Sequence, residues 1–76
     1  AMVFEKVQEI IHEKFNIDMS NITLQSDIRE DLDADSLDLI DMITEIEDYY
    51  ELRIPTEVLS EITTVNDLVN YIESQL

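Results

Sequence analysis

The sequence predicts an all-α protein, a small bundle of four helices: three longer ones and a short third helix, with a long loop after the first. Three observations carry this. Apolar residues recur at three- and four-residue spacing in three stretches, the period of a helix with one buried face. The 76 residues hold no Gly and one Pro yet are 45% hydrophobic, so little interrupts helical runs, and the loops are expected to avoid positive φ. Short clusters of Asp, Ser and Thr stand ahead of periodic stretches, where N-caps belong. A chain of this length makes one small domain, and Ala1 ahead of Met2 reads as a cloning remnant.

The first helix is expected from Val3 to Phe15, with Val3, Phe4, Val7, Ile10, Ile11 and Phe15 forming its buried stripe. Glu5, Glu9 and Glu13 line the other face with Lys6 and Lys14 near them, and His12 reads as a solvated helix residue. From Asn16 to Asp35 runs a loop of about twenty residues, rich in turn and cap formers (Asn16, Asp18, Ser20, Asn21, Ser26, Asp27) and compatible with short helical turns. Ile17, Met19, Ile22, Leu24, Ile28 and Leu32 should pin it to the core. A loop this long in a compact domain is often functional.

The second helix, from Leu37 to Tyr50, carries the strongest pattern. Leu39, Met42, Ile43, Ile46 and Tyr50 should face inward, while Leu37, Ile40 and Thr44 form a partly apolar outer strip among Asp41, Glu45, Glu47 and Asp48. Asp35 is the natural N-cap, Ser36 occupies the first helical position and Asp38 sits in the first turn. Beyond it, Ile54 before Pro55 should be extended, and Pro55 is expected at the first position of a short third helix through about Ser60, burying Val58 or Leu59. Thr64 with Asp67 forms a capping arrangement for a last helix from Val65 to about Ser74. Val65, Leu68, Val69, Ile72 and Leu76 should supply its apolar face, with Tyr71 beside it.

Charge and composition exclude several functions. Nineteen acids against four Lys and Arg give a net charge of -15, so nucleic acid is not an expected partner and basic protein surfaces are. With no Cys there is neither a disulfide nor a thiolate metal site. No run is long enough for membrane insertion and no signal-peptide pattern is present, which makes the cytoplasm the default location. Ser36 lacks a Gly-x-Ser-x-Gly elbow, and His12 and Lys14 lie about twenty residues upstream on another helix. There is no glycine-rich phosphate loop. Asp31, Asp33 and Asp35 resemble the start of a calcium loop but lack its Gly and distal Glu, so no dedicated metal site is expected, although clustered acids suit weak divalent-cation binding.

Ser36 has two readings on the residues alone. It is an ordinary helix-start serine, or a hydroxyl placed where free backbone N–H groups and the helix dipole favour a phosphate ester. The flanking acids oppose the second reading without excluding it. From Glu30 through Glu51 there are ten acids and no Lys or Arg. Such like-charge crowding costs helix stability, a few tenths of a kcal/mol per pair, and hints at a docking role.

Asp31-Leu32 followed by Ala34-Asp35-Ser36-Leu37-Asp38 resembles the phosphopantetheine attachment motif of bacterial type II acyl carrier proteins. The likeness extends to Val7 with Ile10-Ile11, to Ile54-Pro55, to Ile62-Thr63-Thr64-Val65 and to Tyr71-Ile72, and so over nearly the whole chain. It implies a carrier and not an enzyme, with no catalytic residue and no metal ligand of its own, bearing 4'-phosphopantetheine from coenzyme A on Ser36 with Asp35 and Leu37 as the motif flank. A holo-synthase-type phosphopantetheinyl transferase, holding the Mg2+, would load it. Fatty acid synthesis enzymes with basic docking surfaces would meet Leu37, Asp38, Ile40, Asp41, Thr44, Glu47 and Asp48. The resemblance also implies an acyl pocket among Ile28, Leu32, Ile46, Ile54, Leu59, Ile62 and Leu68, and a monomer. Asp33 stands where the family usually has Gly; Asp accepts left-handed backbone better than most residues. Thr44 stands where a larger apolar residue is common. A carrier for a polyketide or specialised acyl pathway, and an acidic helical interaction module without a prosthetic group, are the alternatives. Carriers of peptide synthesis fit less well, since their serine usually follows Gly-Gly-x on a less acidic surface.

Overall fold

In the computed structural model, which describes residues 2–76, the chain forms α1 (Met2–Phe15), a 3-10 turn (Met19–Asn21), α2 (Ser36–Tyr50), α3 (Thr56–Leu59) and α4 (Val65–Gln75). Ala1, and the reading of it as a remnant, lies outside the described residues. Among those residues there is no strand, only an isolated antiparallel bridge between Asp27 and Thr64. The all-α architecture of three longer helices and a short third one is as the pattern predicts.

α1 packs against both α2 and α4. Its Val3, Val7, Ile10 and Ile11 meet Leu39, Met42, Ile43 and Ile46 of α2 and Val65, Leu68, Val69 and Ile72 of α4 in one core. Full burial of such side chains stabilises by about 1.5–3 kcal/mol each before entropy is counted. Ile22, Ile28 and Leu32 enter the same core from the long loop, while Ile17 and Leu24 are half-buried against it.

Two apolar residues expected inside stand out instead. Leu76, placed on the apolar face of the last helix, follows α4 and is 69% exposed, and Met19, expected as an anchor of the long loop, lies in the 3-10 turn and is 39% exposed. Tyr50 is only half-buried, edge-on to Tyr49 at 4.9 Å between centroids, and that burial raises its phenol above the ordinary range. Pro55 is the N-cap of α3 and not its first helical residue. Its ψ of 155° is extended, and its carbonyl accepts from the N–H groups of Val58 and Leu59. α3 accordingly closes at Leu59, with Ser60 as its C-cap and with Val58 and Leu59 half-buried.

The expectation that a glycine-free chain avoids positive φ is also overturned: Asn16, Asp33 and Glu51 lie at 58°, 52° and 55°. At two of them the chain leaves a helix, and leaving through the left-handed region lets backbone N–H groups reach back to orphan carbonyls. Asn16 N–H donates to the His12 carbonyl at 2.9 Å, and Leu52 N–H to that of Glu47 at 3.1 Å.

His12 departs from its reading as a solvated residue. It is half-buried, and its Nδ1–H donates to the Ile17 carbonyl at 2.7 Å. One turn earlier, Gln8 Nε2 donates to the carbonyls of Met19 and Ile22 at 2.9 and 3.0 Å. The long loop thus leans on α1 through polar side chains as well as apolar anchors, which satisfies carbonyls that would otherwise need water.

Candidate functional site

The site is built on the turn that delivers the chain into α2. Asp27 starts that turn: its Oδ1 accepts from the N–H groups of Arg29 and Glu30, and its own N–H donates to Asp31 Oδ2 at 2.7 Å. Asp33 ends it at φ 52°, the left-handed conformation that Asp tolerates. Asp35 is then extended, with ψ of 179°, and caps α2 by accepting from Asp38 N–H at 2.9 Å. The cap, the first-turn acid and the place of Ser36 at the helix start match the sequence pattern.

Ser36 is exposed, and its hydroxyl makes no hydrogen bond among the described residues. The backbone N–H groups of Ser36 and Leu37 are likewise unclaimed there, while Leu39 N–H donates to the Asp35 carbonyl at 3.0 Å. An accessible hydroxyl beside two orphan donors at the positive end of a fifteen-residue helix suits a phosphodiester. The acid next in sequence, Asp35, already has its carboxylate turned to Asp38 N–H.

Along α2 the outer strip stands clear of the core. Leu37 is 73% and Ile40 54% exposed, unusual for large aliphatic side chains, and Thr44, Asp38, Asp41 and Asp48 are exposed with them. Glu47 is different. It is half-buried, and its Oε2 accepts from Ile54 N–H at 2.6 Å, so it ties the chain after α2 back to the helix. Nothing in the residue order points to that tie.

Of the expected pocket residues, Ile28, Leu32, Ile46, Ile54, Ile62 and Leu68 are buried in the shared core, and Leu59 is half-buried against it. Only Ile54 and Leu59 of these reach the surface groove between α2 and α3, a space of about 290 Å³ also lined by Ile40, Ile43 and Thr44. A more open depression of about 450 Å³ at the end of α2, lined by Glu47, Asp48, Glu51, Leu52 and Arg53, is polar and lies at the other end of the helix from Ser36. Among the described residues no group of three or more His, Asp or Glu side chains is arranged to hold a metal ion.

The family model described as a phosphopantetheine attachment site matches residues 5–72. An acyl carrier protein of Streptococcus pneumoniae is 53% identical over 73 residues, covering 96% of this chain and 95% of its own. The chain belongs to the bacterial acyl carrier protein family. A second relative in that family, from Phytoplasma mali, is 40% identical over 75 residues, covering 99% and 89% of the two chains. A solved structure of an acyl carrier protein from Enterococcus faecalis superposes with a TM-score of 0.83 at 37% identity, covering 96% of this chain and 92% of that one. The family's prosthetic group, phosphopantetheine, is compatible with the free hydroxyl and open donors at the start of α2.

Proposed function

We propose that this protein is a single acyl carrier domain, working in the cytoplasm, that bears 4'-phosphopantetheine on Ser36 and delivers acyl chains to the enzymes of fatty acid synthesis without catalysing a reaction itself. The observation that carries the reading is the unclaimed, exposed Ser36 hydroxyl at an open helix N-terminus, inside a match to the attachment-site family. In the loading step the Ser36 oxygen attacks the pantetheine-side phosphorus of coenzyme A. Adenosine 3',5'-bisphosphate leaves, and the hydroxyl proton passes to a base on the transferase. When bound, the group supplies the thiol, and hence the thioester chemistry, that a chain without Cys lacks.

The chain's own residues position and advertise that serine. Asp35 fixes the helix start, and Asp33 closes the preceding turn. Asp38, Asp41 and Asp48 steer basic partners, with an attraction that weakens in salt, while Leu37, Ile40 and Thr44 make the close contact. Glu47 lies on the same side but is read as holding Ile54 as well.

Charging of the holo protein with malonyl groups by a fatty acid synthesis transacylase, followed by condensation on the matching ketosynthase, tests the pathway. Turnover is expected on both. Refusal by both, with acceptance by a polyketide ketosynthase, would move the protein to a specialised pathway.

A further inference from the structure

We propose that Arg29 is a positioning residue, a latch that holds α3 against the body of the protein and so governs access to the groove between α2 and α3. Arg29 is exposed on the long loop in a chain with far more acids than bases, yet among the described residues its guanidinium pairs with no carboxylate. Instead Nη1 donates to the Ile62 carbonyl at 2.6 Å and Nη2 to the Leu59 carbonyl at 3.0 Å. The fork grips the point where α3 ends and the chain turns toward α4. The two lysines behave differently, Lys6 pairing with Glu9 and Lys14 with Glu45, while Arg53 pairs with no carboxylate among the described residues and its guanidinium makes no such fork.

α3 needs such a grip. It is four residues long, has no side-chain cap and buries no residue completely. Isolated helices of that length do not persist in water, so tertiary contacts must hold it. Those contacts include the half-buried Val58 and Leu59 and the charge-assisted bond from Arg29 to the Leu59 carbonyl, while its second bond, to Ile62, anchors the same guanidinium on the buried segment just beyond the helix. Leu59 lines the surface groove, and Ile62, two residues beyond Ser60, is buried in the core. Swinging α3 outward would deepen the groove toward that core, and this movement must break the bond between Arg29 and the Leu59 carbonyl. The latch deepens the carrier reading: if an acyl chain lodges beneath α3, it does so in competition with Arg29.

The latch itself is tested on the unmodified protein, independently of the carrier reading. Amide hydrogen exchange is compared between the parent and Arg29→Gln, with Arg29→Lys as the variant that keeps the charge but not the fork. Arg29→Gln is expected to speed exchange at Ser60, Glu61 and Ile62 by about tenfold or more while leaving α1 and the core of α4 unchanged, with Arg29→Lys in between. Unchanged exchange at those amides, or an equal rise throughout the molecule, would overturn the latch. The link to the groove is then tested by loading octanoyl-phosphopantetheine and timing hydroxylamine cleavage of the thioester. Slower cleavage in Arg29→Gln, several-fold, is expected, because a freed α3 shelters the chain more often. Equal cleavage with faster local exchange would leave Arg29 as a latch and overturn its control of the chain. Failure to load Ser36 at all would count against the carrier reading and leave the exchange result standing.

Discussion

The N-termini of α2 and α4 are built in the same register and finished differently. Each has an oxygen-bearing cap, Asp35 or Thr64, that accepts from the N–H of an Asp three residues on, at 2.9 Å for Asp38 and 3.1 Å for Asp67. Each has a buried Leu at the next position, Leu39 or Leu68. The difference lies between them. In α4 the first two helical residues are Val65, fully buried, and Asn66, and their N–H groups donate to the Ser26 and Leu24 carbonyls at 2.9 Å each. The Asp67 carboxylate reaches back to the N–H groups of Thr63 and Thr64, completing the capping box. In α2 the same positions hold Ser36 and Leu37, both exposed, with free N–H groups. One terminus is closed by the loop that crosses it. The other is left open, and the open one carries Ser36, the proposed attachment residue. Two helix ends of like sequence type therefore differ in accessibility through what packs over them.

Core substitutions should show the largest contrast. Leu68→Ala, in the first turns of α4, is expected to cost about 2–5 kcal/mol, whereas Leu37→Ala at the start of α2 should stay within about 0.5 kcal/mol. Urea unfolding followed by circular dichroism checks both. The same Leu37→Ala variant should lower the rate of loading by the transferase if the exposed side chain is part of the proposed docking strip. If Leu37→Ala destabilised as much as Leu68→Ala, the open face of α2 would be wrong.

Next come the caps. Thr64→Ala should cost about 1 kcal/mol. Asp67 adds a pH dependence. The N–H groups of Thr63 and Thr64, the main cause, hold its carboxyl below the usual carboxylate range in the folded protein. A group depressed on folding stabilises above its unfolded value and loses that contribution as pH falls through the folded one. The stability gap between the parent and Asp67→Asn should therefore be level at neutral pH and shrink below about pH 4. A gap that widened on acidification would contradict the capping role.

The C-terminal end of α2 offers a gain of similar size. Glu51 sits at φ 55° where Gly is the usual residue, and it places a negative charge at the negative end of the helix dipole. Glu51→Gly is expected to stabilise by about 1 kcal/mol. Asp33→Gly should gain less, because Asp pays a smaller penalty there. The smallest and broadest effect is screening: added salt or Mg2+ should raise the melting temperature of a chain with net charge -15. A melting temperature indifferent to ionic strength would sink the idea that self-repulsion weakens the fold.

What the sequence disclosed was local. Asp35 and the Thr64–Asp67 pair could be read because a cap and its target lie three residues apart, and the buried stripes because packing imposes a period on them. Long-range polar ties left no such trace. Arg29 meets carbonyls thirty and more residues away, Gln8 and His12 hold the following loop, and Tyr71 Oη donates to the Arg53 carbonyl at 3.1 Å. A backbone carbonyl has no sequence signature, so nothing in the residue order could announce these bonds. A periodic pattern does not say where its neighbour stops, so it places Leu76 inside, and an apolar residue in an irregular loop, such as Met19, carries no sign of which way it turns. At the candidate site, the motif around Ser36 was legible. The two open N–H groups were not, since their openness depends on which loop crosses which helix.

Whether the protein is modified at Ser36, at the open end of α2, can be read from intact mass. The parent and Ser36→Ala are incubated with coenzyme A, Mg2+ and a broad-specificity phosphopantetheinyl transferase, and their intact masses are recorded. One phosphopantetheine group gained by the parent and none by Ser36→Ala, with both folded, is expected. A folded parent that gains nothing, even as Asp33→Gly, or a Ser36→Ala variant that still gains the group, would contradict it.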